Sequence, residues 1–268
     1  VIYKAWAFIR RDFQTQSSYR LDFFMQIAGM LVSVSLFYFI AQVVGTAVNP
    51  YVQRYGADYF HFVLLGIAFY PFITSSSNNI AEAVYGYQQT GTLEMLYLGS
   101  TPLLAALNMS TLWNYCWTGA QSLFYLVAAT LLFQARLNWD SILFALVIIL
   151  FAIFANTGLA LINAAFVLVT KRTSPLARLL TLVTSLLAGV YYPIEVLPNW
   201  LQTASHLLPA TFAFDALRRV MLQGESFANV SADLVALAIF TIILLPIGIG
   251  SFFFGLRWAR IDGSLSEY

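Results

Sequence analysis

Few side chains in this chain are of types that do covalent or metal chemistry, and their spacing argues against both. His61 and His206 lie in separate segments, and neither belongs to a His, Cys and carboxylate set with metal-ligand spacing. A lone interfacial histidine is ordinarily a hydrogen-bonding group. Cys116 is the sole cysteine, so no intrachain disulfide forms. Serine and histidine build no nucleophile motif, and no G-x-x-x-x-G-K-[S/T] loop cradles a phosphate. Catalytic residues and a metal site are not expected, and the chain reads as a non-enzyme.

What stands out is a pair of acids. Glu82 and Glu94 are the only carboxylates between Asp58 and Asp140, and they sit in AEAVYGYQQTGTLEMLYLGSTP, Ala81–Pro102, which has no basic residue. A loop joining two apolar segments needs only a few polar residues. Here Gly91 can cap a short helix, and Glu94 at its third position favours the positive helix end. Met95, Leu96 and Leu98 then offer an apolar grip. The segment reads as a small helix for another protein to hold; the plainer alternative is a capped turn with no partner.

The elements that must position this segment are membrane spans. Hydrophobic residues are 60% of the chain and charged ones 9%, against about 25% charged in soluble domains. Mean hydropathy is +0.77. Uncharged runs at Phe23–Val44, Tyr59–Ala81, Met95–Ala135, Ser141–Thr170 and Leu234–Leu256 each exceed the roughly 18 residues that mark a spanning helix. A shorter sixth run, Leu179–Ile194, extends backwards through Arg178, whose long side chain can snorkel. The first twenty residues hold Lys4, Arg10, Arg11, Asp12 and Arg20 and no apolar h-region, so no signal peptide is expected there.

Six spans put both termini on one side. Of thirteen basic residues, Lys4, Arg10, Arg11, Arg20, Lys171, Arg172, Arg178, Arg257 and Arg260 share that side, leaving Arg54, Arg136, Arg218 and Arg219 opposite. The positive-inside rule assigns the nine to the cytoplasm. Val196–Phe214 is also long and uncharged, but Pro198, Asn199, Gln202, Thr203, Ser205, His206 and Pro209 make it too polar for lipid. It reads as a hairpin dipping in from the outer face. Ile2, Trp6, Ile9 and Phe13 form one apolar stripe, with Lys4, Arg10, Arg11 and Gln14 on other faces, as in a helix lying in the membrane interface.

The predicted order is therefore an interface helix over 1–20, spans over 21–45, 58–81, 102–134, 141–170, 175–197 and 231–257, a short helix over 86–99, an outer re-entrant hairpin over 198–225 and a tail over 258–268. Together they form a single all-α membrane domain. Thr101-Pro102 and Ser174-Pro175 each place a capping hydroxyl before a proline at the first helical position. The second span ends in FYPFITSSSNNI, where Phe69, Tyr70 and Phe72 precede Ser75, Ser76, Ser77, Asn78 and Asn79. Pro71 removes a hydrogen-bond donor from the helix. That polar cluster reads either as a surface for an amphiphile or as glue between helices. Asp215 is spaced to pair with Arg218 or Arg219.

GTLEMLYLGSTP (Gly91–Pro102) resembles the cytoplasmic signature of ABC-2 type exporter permeases, the membrane subunits of the daunorubicin-resistance and polysaccharide-export group. YYPIEVLPNWL (Tyr191–Leu201), LPATFAFDALR (Leu208–Arg218) and GLRWARIDGSL (Gly255–Leu265) are similar to the same family's fifth span, outer hairpin and basic tail. The resemblance implies a homodimer, or a pair with a close relative, in the bacterial or archaeal plasma membrane, with two copies of a cytoplasmic ABC ATPase beneath. ATP and Mg would be bound by that ATPase and no cofactor by this chain; the bilayer is the other partner, and nucleic acid is not one. Gly91, Thr92, Leu93, Glu94, Met95 and Leu96 would form the coupling helix, with Lys4, Trp6, Arg10, Arg11 and Phe13 of the interface helix alongside. Tyr191, Tyr192, Pro193, Leu197 and Pro198 would form the extracellular gate, although aromatics near span ends are also ordinary interface anchors. Spans one, two and five border the family's route, which makes Phe37, Phe69, Tyr70, Phe72, Ser76, Asn79 and Thr184 candidate path residues. The implied function is export of a lipophilic or amphiphilic molecule by alternating access. Alternatives are a polysaccharide or lipid-linked glycan exporter, a gradient-driven carrier, or a non-transporting scaffold.

Overall fold

A computed structural model describes residues 6, 8–11, 13–14 and 20–261, and its long elements are helices. In chain order they are α1 (Arg20–Val52), α2 (Tyr59–Gln89), α3 (Leu93–Leu98), α4 (Leu103–Phe133), α5 (Ile142–Thr170), α6 (Pro175–Leu187), α7 (Asn199–Ser205), α8 (Pro209–Gln223) and α9 (Ser231–Ile261). Local chemistry explains the boundaries. The Asp58 carboxylate accepts from the His61 N–H (3.1 Å) and starts α2. Ser174 Oγ accepts from the Ala177 N–H (3.2 Å) with Pro175 in the first turn of α6, as the sequence predicts. The matching expectation at Thr101-Pro102 is corrected: Pro102 itself occupies the cap, with no side-chain cap bond, and α4 begins at Leu103.

α2 is the spine of the fold. Seventy-two per cent of its apolar window is buried, against 11% in α1 and in α9. Phe60, Leu64, Leu65, Phe69 and Phe72 pack against Leu126 and Ala129 of α4, Ile148 and Ala152 of α5, and Phe214 and Leu217 of α8. α9 lies along α5 on a seam of small residues. A Cβ on Gly158 would strike the Leu244 backbone, one on Gly248 the Gly158 carbonyl, and one on Gly255 would come to 3.0 Å from Ala165 O. Both helices thus advance in the same direction, with backbones close enough that only glycine fits.

Five helices are long and apolar enough to cross a membrane: Leu21–Gly45, Tyr59–Gln89, Leu103–Phe133, Trp139–Thr170 and Ser231–Ile261. The fifth expected span, 175–197, differs from the reading of six continuous helices. α6 is 13 residues long, about 20 Å at 1.5 Å per residue, short of a hydrocarbon core of about 30 Å. The helix stops because Gly189 adopts φ +72°, and Pro193 a little further on has no N–H to continue one. The irregular backbone at Ala188–Val190 is wholly buried, the condition under which non-helical backbone persists at membrane depth. The segment expected as a hairpin, 198–225, contains two short helices, α7 and α8. The expected short helix over 86–99 is narrower, because α2 runs on to Gln89 and α3 covers only Leu93–Leu98. The last helix also continues past 257 to Ile261; residues 262–268 and Lys4 lie outside the described residues.

Among the described residues, some basic side chains can be placed at one end or the other of α2. Arg54, Arg218 and Arg219 gather near the start of α2, where the Arg136 backbone also meets His61. Arg11 contacts Tyr87 near the end of α2, and Arg260 lies over Tyr97 of α3.

Candidate functional site

α3 is anchored on one side only. Leu93 is fully buried in a cluster with Val84 of α2, Leu103 and Leu107 of α4 and Phe252 of α9, and Leu96 packs against it. Glu94, Met95 and Leu98 face outward, the last two each 74% exposed. The cap is corrected: Gly91 supplies the left-handed turn (φ +65°) and Thr92 is the N-cap, so Glu94 sits at the second helical position, still within the first turn. Thr92 N–H bonds Tyr87 O (2.9 Å), and its hydroxyl meets that of Thr90 (2.7 Å), fixing the turn that sets α3 against α2. Beside it, Arg11 Nη1 donates to Tyr87 Oη (3.5 Å) and Phe13 meets Trp113 edge to face (centroids 5.4 Å). Trp6, Arg10 and Phe13 are exposed. The described part of the interface helix thus lies against the same ends of α2 and α4.

Between α2 and α6 lies an open cavity of about 560 Å³. Asn78, Glu82, Ser174, Arg178 and Thr181 give it polar groups, while Ala81, Val167 and Leu182 give it apolar wall. Asn78 Nδ2 donates to Thr181 Oγ1 (3.2 Å), and its Oδ1 has no partner. Tyr70 Oη donates to Thr181 O (3.0 Å), so α2 and α6 are held together just beyond the cavity. Arg178 donates to Thr173 Oγ1 (3.1 Å) and borders this cavity rather than only snorkelling. On the other side of α2 a cavity of about 530 Å³ is lined by Asn79, Glu82, Ser110, Thr111 and Asn114.

The serine and asparagine cluster therefore divides between its two readings. Ser77 Oγ donates to Asn156 Oδ1 (3.2 Å) and Asn163 Nδ2 to Ser77 O (3.0 Å), binding α2 to α5. Asn114 Nδ2 donates to Asn79 Oδ1 (3.4 Å), binding α4. Ser76 donates to Ile73 O within its own helix. Phe69, Phe72 and Ser76 are buried inside the protomer, whereas Asn78, the neighbour of Asn79, meets the cavity between α2 and α6. Neighbouring helix residues point about 100° apart, and sequence alone did not say which face of α2 was free. Asn78, Glu82, Arg178 and Thr181 are the lining residues it missed. Thr184 lies half-buried on α6.

The expected gate residues surround the buried turn after α6. Tyr191 stacks on Phe37 (5.7 Å, 11° between planes), and its carbonyl accepts from Tyr59 Oη (3.0 Å). Tyr192 Oη donates to Leu186 O (2.6 Å). Pro193 is buried, Leu197 half-buried, and Pro198 caps α7. Arg218 holds the turn, donating through Nη2 to Gly189 O (2.6 Å) and Val190 O (3.2 Å) and through Nε to Phe62 O (3.2 Å). Its guanidinium lies 3.5 Å from the Phe62 ring centroid. Gly66 leaves room for Val190, whose carbonyl a Cβ there would strike. Asp215 pairs with Arg219 (3.9 Å), as expected, but more closely with Arg54 (2.8 Å) and Tyr55 Oη (2.5 Å). Arg54 also pairs with Glu195. Burial pushes the Tyr55 hydroxyl pKa up, so it remains a donor to Asp215.

A family model described as the ABC-2 type transporter matches residues 3–222, and the chain belongs to that family. It carries the membrane permease domain, and its 268 residues contain no ATPase domain. Nodulation protein J of Sinorhizobium fredii is 32% identical over 130 residues, 47% of this chain and 46% of that protein. The linearmycin resistance permease protein LnrN of Bacillus subtilis is 26% identical over 115 residues, 42% of this chain and 29% of that protein. The chain spans less than half the length of the curated relatives it matches.

Proposed function

We propose that this chain is the membrane half of an ATP-driven exporter, with a separate ABC ATPase seated on α3 and a second permease copy completing the path. The observation that carries the reading is α3 itself. Leu93 fixes it to α2, α4 and α9, while Glu94, Met95 and Leu98 are presented to whatever lies beneath. A helix so anchored passes a displacement on to the spans instead of absorbing it. The basic-rich end is cytoplasmic by the charge bias, so the ATPase meets it there. Movement of α3 along α2 then reaches the turn at Gly189–Val190, held by Arg218, and opens the outer gate.

The cargo in this reading is a lipophilic or amphiphilic molecule. The cavity between α2 and α6 combines an apolar wall with Asn78, Glu82, Arg178 and Thr181, a lining suited to a molecule with one polar end. The similarity to LnrN, a linearmycin resistance permease protein, agrees with such a cargo. A glycan-bearing cargo is the second reading, favoured by the hydroxyls and amides of Ser110, Thr111, Asn114 and Asn79 in the other cavity.

The first test is a pull-down of the tagged chain in mild detergent, followed by ATPase assay of the recovered complex. A stoichiometric P-loop ATPase whose coupling to transport is lost in Glu94→Lys supports the reading. Absence of an ATPase, or unchanged transport in Glu94→Lys, overturns it. Asn78→Ala and Asn114→Ala then separate the cargo readings by which cavity alters substrate range.

A further inference from the structure

α5 and α9 leave an open groove of about 590 Å³ beside their glycine seam, near the ends that carry Lys171 and Arg260. Its walls are Ile162, Phe166 and Val169 of α5 with Gly250 and Phe254 of α9, and Leu176 at the start of α6 closes one side. A Cβ on Gly250 would meet nothing within 4 Å, so the groove is open along α9 as well as to the bilayer. The lining is almost wholly apolar. Its hydroxyls are Ser251 and Thr170, and Thr170 donates to Phe166 O within its own helix. A slot of this shape and chemistry fits a hydrocarbon chain.

The mouth of the groove is cationic. Lys171 and Arg172 directly follow the last lining residue of α5. Arg257 lies three residues beyond Phe254, on the same face of α9. Arg172 and Arg257 are exposed, and neither has an ion-pair partner among the described residues. The acids described at this end, Asp22, Glu82 and Glu94, belong to α1, α2 and α3, which contribute nothing to the groove walls. Trp258, 55% exposed, stands beside Phe254 (6.5 Å between centroids), where an indole marks the headgroup level.

We propose that this groove is a specific site for an anionic phospholipid. One acyl chain lies against Phe166, Gly250 and Phe254, and the phosphate lies between Arg172 and Arg257. Basic residues at the cytoplasmic ends of neighbouring spans attract acidic headgroups, and an apolar slot beneath them makes the attraction site-specific. The bound lipid also touches α6, because Leu176 borders the groove while Ala177 and Arg178 border the cavity between α2 and α6. Occupancy therefore steadies the helix that forms one wall of that cavity.

The test uses the full chain, delipidated in detergent and titrated with phosphatidylglycerol or with phosphatidylcholine of identical acyl chains. Bound lipid is read by native mass spectrometry and stability by thermal unfolding. Wild type should prefer phosphatidylglycerol about tenfold or more. Arg172→Gln with Arg257→Gln should retain both lipids equally, losing the preference. Gly250→Leu, whose Cβ would meet nothing within 4 Å and whose side chain would occupy the groove, should reduce retention of both. Equal retention of the two lipids by wild type, an unchanged preference in the double variant, or full retention by Gly250→Leu each overturns the proposal. A change in oligomeric mass in Gly250→Leu with lipid still bound would make the groove an interface between copies, and also overturns it.

Discussion

Arg218 is the one buried basic residue among the described residues. It has no ion-pair partner there and spends its donors on three backbone carbonyls, two of them on a turn outside any helix. The planar fork of a guanidinium suits this, and a lysine ammonium does not. Arg218→Met should destabilise the protein by about 2–5 kcal/mol, since Gly189 and Val190 lose their donors in a buried site. Arg218→Lys should recover little of that. A thermal midpoint for Arg218→Met equal to wild type would remove the residue from the account of the turn. Asp58 gives a pH prediction. His61 Nε2 accepts from the Arg136 N–H (2.8 Å), so Nδ1 carries the proton and donates to Asp58 (2.5 Å). That hydrogen bond holds the Asp58 carboxyl below the usual carboxylate range. A depressed carboxylate stabilises the fold above its unfolded pKa, and the contribution is lost as pH falls through the folded value, so it declines below about pH 4. Asp58→Asn should therefore unfold with a shallower dependence between pH 6 and 3, measured beside wild type. Parallel curves would exclude the cap as a source of acid sensitivity.

At the scale of elements, α3 and the seam between α5 and α9 make separable predictions. Leu93→Ala removes a fully buried side chain and should cost about 2–5 kcal/mol. Met95→Ala and Leu98→Ala, both at exposed positions, should leave stability within about 0.5 kcal/mol and lower only the response of the partner ATPase. Loss of stability in the exposed pair would mean that α3 packs differently. On the seam, Gly248→Val drives a Cβ into the Gly158 backbone and should cost about 1–3 kcal/mol, whereas Gly250→Ala, two residues on, meets open space and should be neutral. Thermal unfolding of the two glycine variants side by side is the check, and equal midpoints would refute the close approach. α6 shows why element type was less legible than composition. The apolar run from Leu179 to Ile194 fits a span by content, but Gly189 and Pro193 divide it into a short helix and a buried turn.

For the whole molecule, α1 and α9 are the least covered spans, and α1 carries a continuous apolar stripe. Leu21, Met25, Val32, Leu36, Phe39 and Val43 are each more than half exposed and recur at three-, four- and seven-residue spacing, which makes one stripe along the helix. A second copy covers this face in the proposed dimer. Val43→Cys in a Cys116→Ser background should then cross-link between copies in membranes, and its failure to do so under oxidation leaves the stripe to lipid. Asn199→Cys should be labelled from outside in intact cells; labelling only after permeabilisation inverts the orientation. The sequence by itself determined the membrane class, the helix cap at Ser174 and the segment that forms α3. All of these follow from composition or from contacts within a few residues. Tertiary structure alone decided that Asn78 rather than Asn79 meets the cavity between α2 and α6, that Arg218 is buried on backbone carbonyls, and that Gly158 and Gly248 bring two helices together. Each of these depends on which helix face meets which neighbour, and partners 29 or 156 residues apart, such as Arg218 with Gly189 and Phe62, leave no mark on local spacing.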